Sequence, residues 1–201
     1  MSYVHMTKIN DLEAVKQILD GDIQKFTYLV NGHKDLVFTL ALRMVKDKED
    51  AEEIAQDSFI KAYNNLSRFK GEAKFSSWLY RITYNTCLDW IKKNNKRNTL
   101  TGSIDKDMYR LSVPDNASEK IEQEEHNKRI TECLQRLPAA DSFLISLYYY
   151  EELSLHEIAT IVSSSISNVK VRLFRIRKKL AGILKENLES EIIESYERTR
   201  R

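Results

Sequence analysis

Six cations, Lys170, Arg172, Arg175, Arg177, Lys178 and Lys179, fall within one short stretch that holds no acidic residue between them. Ile166, Val169, Leu173, Ile176 and Leu180 run through the same stretch at every third or fourth position, the period of one helix face. Such a basic amphipathic helix is ordinarily a solvated surface, but placed in a DNA groove its cations neutralise phosphates and its N-terminal side chains meet base edges. A second group mixes rings with charge: Phe69, Phe75, Trp78, Tyr80 and Tyr84 alternate with Arg68, Lys70, Lys74 and Arg81. Exposed bases of a single strand stack on flat rings while its phosphates need neutralising, so this mixture suits opened nucleic acid. Aromatics at helical spacing also build cores, and Phe75, Trp78 and Ile82 carry that reading. Arg81 and Asn85, one turn apart on the more polar side, are better candidates for contact.

The elements that must position the basic helix are legible next to it. Ser154-Leu155-His156-Glu157 fits a capping box, with Leu153 and Ile158 placed to close a hydrophobic staple. A short helix therefore starts at Ser154, with Ile158, Ala159, Ile161 and Val162 on its apolar side. Ser163-Ser164-Ser165 then interrupts the pattern with residues that favour caps and turns, and the basic helix begins there. Two short helices joined by a tight turn, the second basic, form a helix-turn-helix, whose second helix enters the major groove.

Upstream, a periodic segment runs from Asp11 to Leu19 and ends at Gly21, a plausible left-handed cap, and a second spans Ile23 to Val45. A third is cleaner: Ala51, Ile54, Ala55, Ser58, Phe59 and Ala62 trace one face, and Asp47 can cap its start. Its other face is Glu52, Glu53, Gln56, Asp57 and Ile60, with acid crowding the positive end of the helix dipole. Residues 67–74 form a break, and a fourth helix follows from about Ser76 to Asn95. Between Lys96 and Glu119 the pattern dissolves into Asn, Thr, Ser, Gly, Asp and Pro114, which cannot offset ordering by burial. Periodicity resumes near Ile121 with Ile130, Cys133, Leu134 and Leu137, breaks at Pro138 and continues from Phe143 to Tyr150.

The chain is therefore expected to be all-α: two small helical domains joined by a flexible linker, the second containing the helix-turn-helix. The domains are set at residues 1–95 and 127–184, with a polar linker at 96–126 and a charged tail at 185–201 that extends the last helix. With 42% hydrophobic residues the chain can bury cores, while five Gly and two Pro leave little material for hairpins. The net charge of +2 averages over opposed blocks, acidic from Asp47 to Asp57 and basic from Lys92 to Arg97 and Lys170 to Lys179.

Other functions find little support. Phosphate-binding glycine loops, nucleophile elbows and paired-histidine motifs are missing, so no catalytic residue, cofactor or metal is expected. His5, His33, His126 and His156 lack ligand spacing, and Cys87 and Cys133 are expected to be reduced core thiols. The start, MSYVHMTKIN, lacks the apolar core of a secretory signal, and nowhere is there the run of about 18 apolar residues that a membrane span needs. A cytoplasmic protein without membrane insertion is the expectation.

DAEEIAQDSFIKAY at 50–63, followed by FKGEAKFSSWLYRITYN at 69–85, resembles the second conserved region of bacterial RNA polymerase sigma factors of the extracytoplasmic-function type. LHEIATIV and VKVRLFRIRKKL resemble their fourth region, and the likeness covers most of the chain. It implies a transcription-initiation specificity subunit whose partners are core RNA polymerase, promoter DNA and an anti-sigma protein. The third helix would dock on the polymerase clamp through Glu52, Glu53, Gln56, Asp57 and Ile60. Arg68, Phe69, Lys70, Gly71 and Lys74, with Arg81 and Asn85, would receive a base flipped from the non-template strand of the minus-ten element. Ser167, Asn168, Lys170, Val171, Arg172, Phe174, Arg175 and Lys178 would contact the minus-thirty-five element, and the linker would thread toward the polymerase active-site channel. Ser163 and Ser167 stand where the family often has Gly, and Val171 where a small polar residue is common. A stand-alone helix-turn-helix regulator is the alternative; it would leave the acidic third helix and the aromatic loop unused and ordinarily needs a dimer interface.

Overall fold

The computed structural model describes residues 10–101 and 132–199, and side chains within 10–95 and 132–186. The described residues form helices and turns, with no strand among them, and fall into two compact units. The architecture is all-α.

The first unit holds α1 (Asp11–Leu19), α2 (Phe26–Val45) as far as Leu42, α3 (Lys48–Asn64) and α4 (Phe75–Thr101), with short 3-10 turns at Ile23–Lys25 and Leu66–Arg68. Asn10 caps α1, its side-chain oxygen accepting from the Glu13 amide at 2.8 Å, and Asp11 and Glu13 sit favourably at the positive helix end. At the other end Gly21 takes φ +111°, and the Gly21 and Asp22 amides donate back to Ile18 and Gln17, closing a Schellman motif. The expected second helix begins at Phe26 rather than Ile23, because the 3-10 turn intervenes.

α3 follows directly after Asp47, and Ala51, Ile54, Ala55, Ser58, Phe59 and Ala62 are all buried, as their spacing predicts. The small residues let α3 lie close to α4, the most extensive helix pairing of the unit. Ser58, Thr83 and Thr86 are buried without penalty because each hydroxyl donates to the carbonyl one turn earlier. Burial pushes the Cys87 thiol up to about 12, so it stays protonated at neutral pH. Cys87 and Cys133 are both buried thiols outside any disulfide.

α4 runs to Thr101, past the expected end at Asn95, so six residues assigned to the linker are helical backbone. The rest of the linker, with Ile121, Ile130, His126 and the start of the second domain, lies outside the described residues, as does His5.

In the second unit residues 132–135 are helical, Pro138 stops them, and α5 (Ala139–Tyr149) starts immediately after it. α6 (Leu155–Ile161) and α7 (Ile166–Thr199) follow, and each of α5, α6 and α7 packs on the other two. Phe143, Leu144, Leu147, Ile158, Ile161, Val169, Leu173 and Ile176 fill the core. The tail continues α7 without a break to Thr199. Among the described residues no helix is long and apolar enough to cross a membrane, and no cluster of His, Cys, Asp or Glu is arranged to hold a metal ion.

Candidate functional site

The helix-turn-helix is built by local chemistry. The Ser154 amide donates to Glu157 Oε2 at 2.9 Å and the Glu157 amide donates to Ser154 Oγ at 3.3 Å, completing the capping box. α6 ends where Ser163 adopts φ +51° and the Ser164 amide reaches the Ala159 carbonyl at 2.9 Å. Ser163 thus takes the left-handed conformation that glycine adopts at no steric cost. Ser165 Oγ then accepts from the Asn168 amide at 3.2 Å and opens α7.

Along α7, Ser167, Lys170, Val171, Phe174, Arg175 and Lys178 are all exposed. Their spacing of three and four residues places them on one face, opposite buried Val169, Leu173 and Ile176. Asn168 flanks that face. Phe174 leaves 67% and Val171 49% of their surface in solvent, although both are apolar. Two of the six cations are committed inside the unit. Arg172 Nε donates to Asp141 Oδ1 on α5 at 2.6 Å, and Arg177 Nε donates to the Tyr149 hydroxyl at 3.0 Å while lying over the Tyr148 ring. Ile166, expected on the apolar stripe, is the first residue of α7 and is 47% exposed, and Leu180 is half-buried.

In the first unit Glu52, Glu53, Gln56, Asp57 and Ile60 are exposed together on the side of α3 that faces away from α4's packing. Lys48 lies 3.8 Å from Glu52, an exposed pair worth little in stability. Ile60, 57% exposed, ends this acidic face with an apolar side chain.

The break at 67–74 opens a pocket of about 610 Å³ lined by Phe69, Gly71, Ala73, Lys74 and Phe75 on one side and by Asn10, Asp11, Leu12 and Tyr28 on the other. Phe69 is half-buried, edge-on to Phe75 at 5.8 Å and tilted over Trp78 at 5.4 Å. Gly71 takes φ +75°, and a Cβ there would stand 3.1 Å from Leu12 Cδ1. The glycine is thus needed first for the loop's approach to α1 and only then for any ligand. Of the expected minus-ten residues, Phe69, Gly71 and Lys74 meet at the pocket. Arg68, Lys70, Arg81 and Asn85 are exposed but do not line it. Trp78, Arg81, Ile82 and Asn85 instead share one stripe of α4, with Trp78 and Ile82 half-buried. Tyr80 and Tyr84, grouped by sequence with the stacking rings, are 2% and 7% exposed and belong to the core with Phe75.

The family description Sigma-70 region 2 matches residues 29–97, which contain the acidic α3, the loop and α4 up to residue 97, and Sigma-70 region 4 matches residues 127–180, which contain the helix-turn-helix. The chain is 34% identical over 180 residues to the ECF RNA polymerase sigma factor SigW of Bacillus subtilis (strain 168), covering 87% of this chain and 96% of that protein. The chain belongs to the ECF sigma factors.

Another relative of this sigma factor is the RNA polymerase sigma-H factor of Pseudomonas aeruginosa, 30% identical over 192 residues, or 90% of this chain and 99% of that one. Its fold is shared with the sigma factor RpoE, solved with the anti-sigma factor NepR from Bartonella quintana: TM-score 0.69, 19% identity, 81% of this chain and 98% of that chain. CnrH, solved with the cytosolic domain of CnrY, has a TM-score of 0.61 at 22% identity, covering 86% of this chain and 96% of that one. Asn10, Asp11, Leu12 and Tyr28 precede the region 2 match, and their place at the pocket is not signalled by the sequence. Asn10 and Asp11 carry only a helix-start signal, and no periodicity links them to a loop sixty residues on.

Proposed function

We propose that this sigma factor binds core RNA polymerase through the exposed acidic face of α3, contacts the minus-thirty-five element through the exposed face of α7, and captures the opened non-template strand of the minus-ten element at the 67–74 loop. One observation carries this reading. Both conserved regions occur in order in one chain; α3 and α7 each present the expected side chains on one exposed face, and Phe69, Gly71 and Lys74 meet at a pocket. On α7, Lys170, Arg175 and Lys178 supply phosphate and base-edge donors, and exposed Phe174 suits contact with a thymine methyl. Arg172 serves to hold α7 on α5 and is not among the proposed base contacts.

The energetics favour a polymerase subunit over a protein that melts DNA alone. Each opened step loses about 1.4 kcal/mol of stacking, whereas a base captured on an aromatic returns roughly 1–3 kcal/mol. A pocket for one or two bases cannot hold a bubble by itself. RpoE, which shares the fold, was solved with the anti-sigma factor NepR, which supports an anti-sigma partner for this chain as well.

Run-off transcription from genomic fragments with bacterial core polymerase tests the reading. Specific transcripts are expected only when the protein is added. Reversing the charges of Glu53 and Asp57 together with Gln56→Ala should abolish retention on core enzyme while leaving thermal unfolding unchanged, since these side chains are exposed. Tight promoter binding without core enzyme, and no transcript with it, would point to a stand-alone regulator.

A further inference from the structure

The pocket beside the loop is walled on its second side by α1 and α2, through Asn10, Asp11, Leu12 and Tyr28, residues that precede the region 2 match. Among these, Asp11 carries the one carboxylate. His33 Nε2 lies 2.9 Å from Asp11 Oδ2, and because an ionised carboxylate only accepts, that nitrogen carries the proton. His33 is itself seated against Phe75, ring centres 5.6 Å apart. Asn10, committed to capping α1, fixes where the helix begins and hence where Asp11 stands. A carboxylate has two oxygens and about four acceptor sites, so the bond to His33 leaves acceptor capacity for a ligand in the pocket it lines. Around it, Tyr28, Phe69 and Phe75 supply ring surface.

We infer that Asp11 sets which unpaired base this pocket keeps, favouring one with an exocyclic amino group (adenine, cytosine or guanine) over thymine. The inference rests on the proposed capture of an opened strand at the 67–74 loop. Adenine and cytosine offer amino N–H donors and guanine an N–H beside an amino group, all of which a carboxylate accepts. Thymine presents a single N–H flanked by two carbonyl oxygens, so a carboxylate that accepts from it is held against like partial charge on both sides, which weakens binding. The discrimination comes as much from rejecting thymine as from holding the amino bases.

The test uses holoenzyme and labelled fork-junction DNA in which each position of the unpaired non-template stretch is varied through the four bases. At one position thymine should be retained about tenfold less well than an amino base, the size of one charge-assisted hydrogen bond. Asp11→Asn can still accept from His33 through its carbonyl oxygen while offering an amide donor, so it should erase or invert that preference. Asp11→Glu keeps the acceptor and should keep the preference, which separates base choice from damage to α1. Phe69→Ala should lower retention of all four bases alike. An unchanged preference in Asp11→Asn, with Phe69→Ala still weakening capture, would overturn the role of Asp11 alone. Binding that depends on neither Asp11, Phe69 nor Lys74 would overturn the capture reading with it.

Discussion

The 67–74 loop and α7 draw on the same side-chain types, cations and aromatic rings, but arrange them oppositely. In the loop the rings gather inward: Phe69 packs on Phe75 and Trp78 beside a pocket, with Arg68 and Lys70 exposed near it. On α7 the core is aliphatic, and Phe174 stands out in solvent among Lys170, Arg175 and Lys178. A concave cluster of rings fits one unpaired base, whereas a convex helix face fits the groove of a duplex. Electrostatics follow the same division. Of the α7 cations, Arg172 and Arg177 are bonded to Asp141 and Tyr149 and hold the helix on α5, leaving its exposed face to the others.

Adjacent residues of α7 give the largest effect with which to break this comparison. Leu173 is 2% exposed, so Leu173→Ala should destabilise the second unit by about 2–5 kcal/mol in denaturant unfolding. Phe174→Ala should change stability by less than about 0.5 kcal/mol yet weaken promoter binding. Equal stability losses for both would mean that Phe174 is packing, not a contact.

Backbone strain comes next. Gly71→Ala places a Cβ at φ +75° against Leu12 and should cost about 1–2 kcal/mol, with loss of open complex. Ser163→Gly should do the reverse in the other unit, relieving strain at φ +51° for a gain of roughly 0.5–1 kcal/mol once the extra freedom of glycine in the unfolded chain is counted. Thermal melts of both variants check the pair. The smallest effect concerns α7 alone: Lys170→Ala and Arg175→Ala should each shallow the salt dependence of promoter binding by about 0.9 in log–log slope. A slope that does not move would take those two side chains off the phosphates.

The two regions also differ in how far the amino-acid sequence reveals them. The α3 stripe from Ala51 to Ala62, the capping box and the exposed face of α7 could be read in advance because each depends on neighbours within a few turns. The second wall of the pocket could not. Periodicity indicates which side of α1 is apolar, yet says nothing about Leu12 meeting Gly71 across the fold. Tyr80 and Tyr84 lie among cations in sequence, but α4 is buried on several sides, so both enter the core. Arg172 and Arg177 belong to the basic run, and only the placement of α5 reveals that they are already bonded.

The central claim, that the loop acts on opened DNA and α7 on duplex, is tested most directly by permanganate reactivity of unpaired thymines measured with a minus-thirty-five footprint on the same polymerase complex. Phe69→Ala with Lys74→Ala should reduce thymine reactivity while the upstream footprint persists, and Lys170→Ala with Arg175→Ala should weaken the footprint itself. Normal thymine reactivity in the loop variant, with its fold intact, would contradict the account.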